Sequence, residues 1–145
     1  MIFKSIALAA DHAGYPAKEA IKQFLIAKGI EVKDFGTDSE DSTDYADYAH
    51  PMASAVEKKE YEIGIAVCGS GNGTNMTVNK HQGIRAALCW NVEISEMARL
   101  HNDANICTVP GRYVSIEEAV NIVDKFVNTL FEGGRHQKRI DKIPV

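Results

Sequence analysis

Five short apolar runs alternate with amphipathic segments along the whole chain, and this alternation limits the fold more than any other feature. The runs are "IALAA" (6–10), "IEVKDFG" (30–36), "EIGIAVC" (62–68), "IRAALCW" (84–90) and "NICTVPG" (105–111). Most are apolar on successive residues, as in strands covered on both faces. The segments between them carry helical signals. In "PAKEAIKQFLIAKG" (16–29), Ala20, Ile21, Phe24 and Leu25 recur at helical spacing, with Pro16 suited to a first turn and Gly29 to the stop. "EDSTDYADYAH" (40–50) is polar and reads as a loop, with a helix starting at Pro51. "NGTNMTVNKHQG" (72–83) reads as a short helix. In "VEISEMARLHND" (92–103), Ile94, Met97, Ala98 and His101 fall at i, i+3, i+4 and i+7. "SIEEAVNIVDKFVNTLFEGG" (115–134) opens with Ser115 and Glu118 set as a capping box. "RHQKRIDKIPV" reads as a helical tail from about 134.

Strict alternation implies a five-stranded parallel sheet with helices on both faces, a three-layer α/β/α, Rossmann-like architecture. With 145 residues and neither repeat nor linker, one domain over 1–145 is expected. A net charge of −4 argues against nucleic acid or an anionic membrane as partner. No apolar run is long enough to span a bilayer. Cys68, Cys89 and Cys107 show no CxxC spacing, which fits a reducing cytoplasm.

Ligands in such sheets bind beyond the carboxyl ends of the strands. Two loops there carry unusual chemistry: "DHAG" (11–14) after the first strand and "CGSGNG" (68–73) after the third. The second loop is no phosphate loop of the GK[ST] type, and its third glycine comes one residue early for a dinucleotide fingerprint. Thr74 stands where a cysteine phosphatase would place arginine. What remains is a loop whose N–H groups converge on an oxygen anion. A thiol at a helix N-terminus ionises more readily, so Cys68 qualifies as a general base beside an oxyanion hole. The plainer reading makes Cys68 a core residue that ends a strand. Cys89 and Cys107 lie inside apolar runs and read as core.

Asp11 and His12 follow the first strand directly, where an aspartate also serves to cap the next helix. His101, Asn102 and Asp103 close a helix, where histidine suits the dipole. Arg135 and Arg139 lie at i, i+4 after two glycines, a pairing that suits a phosphate dianion and equally a solvated tail. His50 and His81 have no evident partner. With no HxH, HExxH or Cys/His cluster, neither metal nor cofactor is expected.

"AADHAG", "DYADYA", "CGSGNG", "NK", "GIRAA", "HNDAN", "GR" and "EGGRHQKR" occur in this order from residue 9 to residue 139. Together they resemble ribose-5-phosphate isomerase of the B type, within the wider group of pentose and hexose phosphate isomerases. The resemblance implies metal-free interconversion of D-ribose 5-phosphate and D-ribulose 5-phosphate by a homodimer or dimer of dimers with shared sites. It implies Cys68 as the base between C1 and C2, and Gly69, Ser70, Gly71, Asn72 and Gly73 as the anion hole. His101 becomes the ring-opening acid, with Asp11 assisting. His12, Arg135 and Arg139 become the phosphate site, with Asn102, Arg112 and Tyr45 as further binding positions. Some members place a glutamate where Thr74 stands, which leaves the cysteine as the base available here. Alternatives are an isomerase of a six-carbon substrate such as allose 6-phosphate, a binding module without catalysis, and an NAD-dependent oxidoreductase.

Overall fold

In the computed structural model, which describes residues 2–145, six helices and five strands alternate as expected. Met1, where the expected span begins, lies outside the described residues. The elements are β1 (Ser5–Ala10), α1 (Tyr15–Ala27), β2 (Glu31–Asp34), α2 (Tyr45–Glu57), β3 (Ile63–Cys68), α3 (Asn72–Val78), β4 (Ala86–Leu88), α4 (Val92–Asn102), β5 (Ile106–Pro110), α5 (Ile116–Val127) and α6 (Arg135–Ile140). The sheet runs β2-β1-β3-β5-β4, and every pairing is parallel.

Alternation along β1 assigns the two faces. Ile6, Leu8 and Ala10 join one buried cluster with Ile21 and Leu25 of α1, Ala98 of α4 and Ile122, Val123 and Phe126 of α5. Ala7 and Ala9 face Met52, Ala53 and Val56 of α2 and Val78 of α3. Each face buries its apolar stripe, so the sheet is covered on both sides, as continuous apolar strands require. Cys89 and Cys107 are fully buried in the first cluster, the core role expected of them. Burial, reinforced by Cys89 beside it, pushes the Cys107 thiol well above its ordinary range.

Three local expectations change. The helix expected from Pro51 starts six residues earlier, at Tyr45, and takes in half of the expected loop. Ala49, Met52, Ala53 and Val56 form the i, i+3, i+4, i+7 stripe, which already spans Pro51. Pro51 leaves the Asp47 carbonyl without its helical partner, and Asp47 is itself exposed. In α4 the buried stripe is Ser95, Ala98 and Arg99, whereas Ile94, Met97 and His101 are only half-buried. The Arg99 guanidinium is satisfied inside, on Asp103 Oδ1 at 2.9 Å and the carbonyls of Thr129 and Ala104, and it lies over the rings of Phe3 and Phe126. α5 ends at Val127, not near 134. Ser115 Oγ accepts from the Glu118 N–H at 3.0 Å, which is half of the capping box.

Candidate active site

β1 and β3 are neighbours, and the chain leaves them in opposite directions across the sheet, toward β2 at one edge and toward β4 at the other. Their two loops therefore share one crevice at the carboxyl end. The Asp11 N–H donates to the Val67 carbonyl at 3.3 Å, which sets "DHAG" against the end of β3. Gly14 packs so closely there that a Cβ would strike the Val67 carbonyl. Asp11 Oδ1 accepts from the Gly14 N–H at 3.0 Å, so this carboxylate does shape the turn into α1, and its second oxygen remains free for other work. His12 Nδ1 accepts from the Thr43 N–H at 3.1 Å. That bond places the proton of the neutral ring on Nε2.

Cys68 ends β3 and is 5% exposed. Gly71 follows with a φ of 78° as it turns the chain into α3, a conformation that suits glycine. The Tyr45 ring covers Gly73 so closely that any side chain there would strike it. Among the described residues, no group accepts from the N–H of Gly69, Ser70, Gly71 or Gly73. Ser70 Oγ accepts from the Asn72 N–H at 3.2 Å. Arg112 is tied to this loop, because its N–H donates to the Gly69 carbonyl at 3.0 Å and its side chain lies over Gly69. Asp11, His12, Tyr45, Cys68, the loop 69–73 and Arg112 thus converge at one end of the sheet. Thr74 is buried beside them, and its hydroxyl has no partner.

His101, Asn102, Arg135 and Arg139 lie elsewhere. α4 runs back against the strands, so its last residues sit at the amino end of the sheet. Gly64 pairs with Ile106 at that end of β5, and Cys68 pairs with Pro110 at the other. The length of β5 alone puts roughly 13 Å between the two regions, at about 3.3 Å per residue. Asp103 turns the chain with a φ of 46°. The Glu132 N–H donates to the Leu100 carbonyl at 3.1 Å and draws the segment before α6 onto the end of α4. Gly133 and Gly134 both have positive φ, as the two glycines suggest. Arg135 and Arg139 then fall on one face of α6, exposed and without an acidic partner among the described residues.

The sequence reading missed Glu132 and His136. The His101 and His136 rings stack at 4.4 Å, 19° from coplanar. Glu132 Oε2 lies 3.8 Å from His101 Nε2 and 3.7 Å from His136 Nε2. Burial, then the neighbouring His101, holds the His136 imidazole below its ordinary range. The i, i+4 spacing of Glu132 and His136 is visible in "EGGRHQKR", but His101 comes from another helix, and no local pattern announces the trio. His50 and His81 also find each other, contrary to the expectation of two unpartnered surface residues. Their ring nitrogens are 2.8 Å apart, and His81 faces Glu57 at 3.6 Å.

Grooves of about 710 and 270 Å³ lie between the loop 79–85 and the C-terminal tail, and Cys68 lines neither.

The family model described as Ribose/Galactose Isomerase matches residues 6–143. The chain belongs to this family. Ribose-5-phosphate isomerase B of Escherichia coli is 41% identical over 140 residues, covering 97% of this chain and 94% of its own. A crystal structure of a ribose 5-phosphate isomerase from Thermotoga maritima superposes with a TM-score of 0.95 at 48% identity, over 97% of each chain. Ribose-5-phosphate isomerase B of Mycoplasma genitalium, solved with ribulose-5-phosphate bound, gives a TM-score of 0.93 at 39% identity, over 99% of this chain and 95% of its own. Family membership makes the chain an aldose–ketose isomerase and sets aside the binding-module and oxidoreductase readings. Among the described residues, no helix is long and apolar enough to cross a membrane.

Proposed function

We propose that the protein interconverts D-ribose 5-phosphate and D-ribulose 5-phosphate through a cis-enediolate, in sites that each combine residues of two chains. One observation carries this reading. The free N–H groups of the glycine loop lie beside Cys68 at one end of the sheet, while the proton donor and unpaired arginines the reaction also needs lie at the other. A two-fold axis would place the amino end of one chain over the crevice of its partner, with both sites formed at once.

In that site His101 of one chain delivers a proton to the ring oxygen as the hemiacetal opens, with Asp11 of the other against the sugar hydroxyls. An imidazole suits this because its ring nitrogen can hold a proton and give it up. The Cys68 thiolate then takes the proton from C2 and returns it to C1. Negative charge develops on the sugar oxygens, where the N–H groups of Gly69, Ser70, Gly71 and Gly73 receive it, while the Asn72 N–H donates to Ser70 Oγ and braces the loop. Arg135 and Arg139 hold the phosphate with His12, whose Nε2–H is fixed as a donor by Thr43. Arg112, Asn102 and Tyr45 line the sugar. Three free cysteines fit a cytoplasmic setting.

The test is an isomerisation assay of purified protein with ribose 5-phosphate in EDTA, with allose 6-phosphate alongside. Turnover of the five-carbon sugar at the higher kcat/KM supports the assignment. Preference for the six-carbon sugar moves the assignment to that substrate, and no turnover of either removes it.

A further inference from the structure

We propose that His101, Glu132 and His136 form a binding site for one late first-row divalent transition-metal ion, with Zn²⁺ the natural occupant. The three side chains each bring a ligand atom, and these atoms all lie within 4.8 Å of one another. His136 is 95% buried by its 5% exposure, and its Nε2 has no hydrogen-bond partner among the described residues. That nitrogen faces Glu132 Oε2 at 3.7 Å, and His101 Nε2 faces the same oxygen at 3.8 Å. A tetrahedral zinc with ligands about 2.0–2.2 Å away needs ligand atoms roughly 3.4 Å apart. The two distances to Glu132 exceed this by only a few tenths of an ångström, and the wider spacing between the two imidazoles, up to 4.8 Å, closes as His101 turns out of its stack. His101 is 41% exposed and Glu132 55% exposed in their side chains, so both are free to adjust around the fixed His136.

The backbone holds the group together before any ion arrives. Glu132 and His136 are i, i+4, and the Glu132 N–H is anchored on Leu100, the residue before His101. The donor set selects the ion. Two imidazoles and one carboxylate suit zinc, cobalt, nickel or copper, whereas calcium and magnesium require oxygen ligands. A carboxylate facing both rings disfavours an anion in the same place. Arg135 and Arg139 lie on the helix that carries His136 and oppose a dication, which favours a reversible site over a permanent one. Three protein ligands leave a coordination position open to water. The proposed function makes His101 the ring-opening acid, and on that reading an ion bound here withdraws its nitrogen and inhibits turnover.

The experiment titrates the metal-free, full-length protein with Co²⁺ and then displaces it with Zn²⁺. The expected result is one Co²⁺ per chain, with visible ligand-field bands, no near-ultraviolet thiolate charge transfer, and loss of the bands on adding Zn²⁺. Glu132→Ala and His136→Ala should each weaken binding by ~100-fold or more, since loss of even an outer-shell partner costs about 10–100-fold. His81→Ala should leave it unchanged. Glu132 is exposed, so its variant reports on the site even where His136→Ala fails to fold. Absence of saturable binding, binding unaffected by Glu132→Ala, or a thiolate charge-transfer band would each overturn the site. In the activity arm, Zn²⁺ should inhibit wild type reversibly with EDTA and spare Glu132→Ala. A metal-free protein without any isomerase activity would remove the proposed function and leave the cobalt titration to judge the site by itself.

Discussion

The two ends of the parallel sheet differ in how they hold their polar groups. At the carboxyl end, backbone does the holding: the His12 ring is fixed by the Thr43 N–H, the Asp11 carboxylate by the Gly14 N–H, and the Arg112 main chain by the Gly69 carbonyl. The glycine loop there keeps free N–H donors around a buried thiol. At the amino end, side chains meet side chains. His101 stacks on His136, Glu132 faces both, and Arg135 and Arg139 stand exposed without acids. The first end suits charge that develops during a reaction, because rigid donors need no reorganisation. The second suits a ligand that brings its own charge. One chain holds the two ends a strand's length apart.

Single substitutions sharpen this contrast. The largest effect belongs to the carboxyl end. Cys68→Ser replaces the thiol with an alcohol that hardly ionises, and kcat should fall by ~10²–10⁴ while KM changes little. Near-normal turnover would return Cys68 to the core. At the amino end, His101→Asn should damage cyclic ribose 5-phosphate more than an acyclic aldehyde of similar length. Steady-state kinetics with both substrates checks this, and equal damage would move His101 to the enediolate step. Arg139→Ala removes a charge-assisted contact worth about 1.5–3 kcal/mol. KM should rise by roughly tenfold or more, since ~1.4 kcal/mol is tenfold. An unchanged KM would make α6 a solvated tail.

The smallest effect concerns stability at the outer strand, β2. Lys18 is buried and bonds Asp34 at 2.6 Å, and Lys22 bonds the same carboxylate at 3.0 Å. Burial alone would raise the Asp34 carboxyl. The hydrogen bonds from Lys18, the Gly36 N–H and Lys22 together outweigh burial and leave it below its ordinary value. A carboxylate depressed in the folded state stabilises above its unfolded pKa of about 3.9 and loses that contribution as pH falls through the folded value. Lys18→Met should therefore start acid unfolding at a higher pH, read by circular dichroism, while activity at neutral pH persists. An unmoved acid limb would mean that Lys22 alone holds Asp34.

Much of the carboxyl end was legible in the sequence, because both of its loops follow strands directly and carry their chemistry on consecutive residues. Strand and helix order followed from apolar runs for the same reason. The start of α2 was not legible, because Pro51 is a strong local stop signal and only the buried stripe through Ala49 overrides it. Burial of Lys18 and Arg99 carried no sequence signal, since it depends on acceptors that the fold brings from β2 and from the segment after α5. The amino-end trio was hidden by the same non-locality: Glu132 and His136 meet His101 only after α5 has crossed the sheet. Pairing of His50 with His81 likewise needs α2 and the loop after α3 to lie side by side.

Subunit complementation tests the two-ended site most directly. Cys68→Ser protein and His101→Asn protein, each inactive, are mixed, unfolded and refolded together, with hybrid formation verified by a mass tag. Half the random dimers are hybrids, and each hybrid holds one site with both residues intact, so recovery of about a quarter of wild-type activity is expected by two-fold symmetry. Hybrids that form and remain inactive would mean that each site is built within one chain, and would contradict the account.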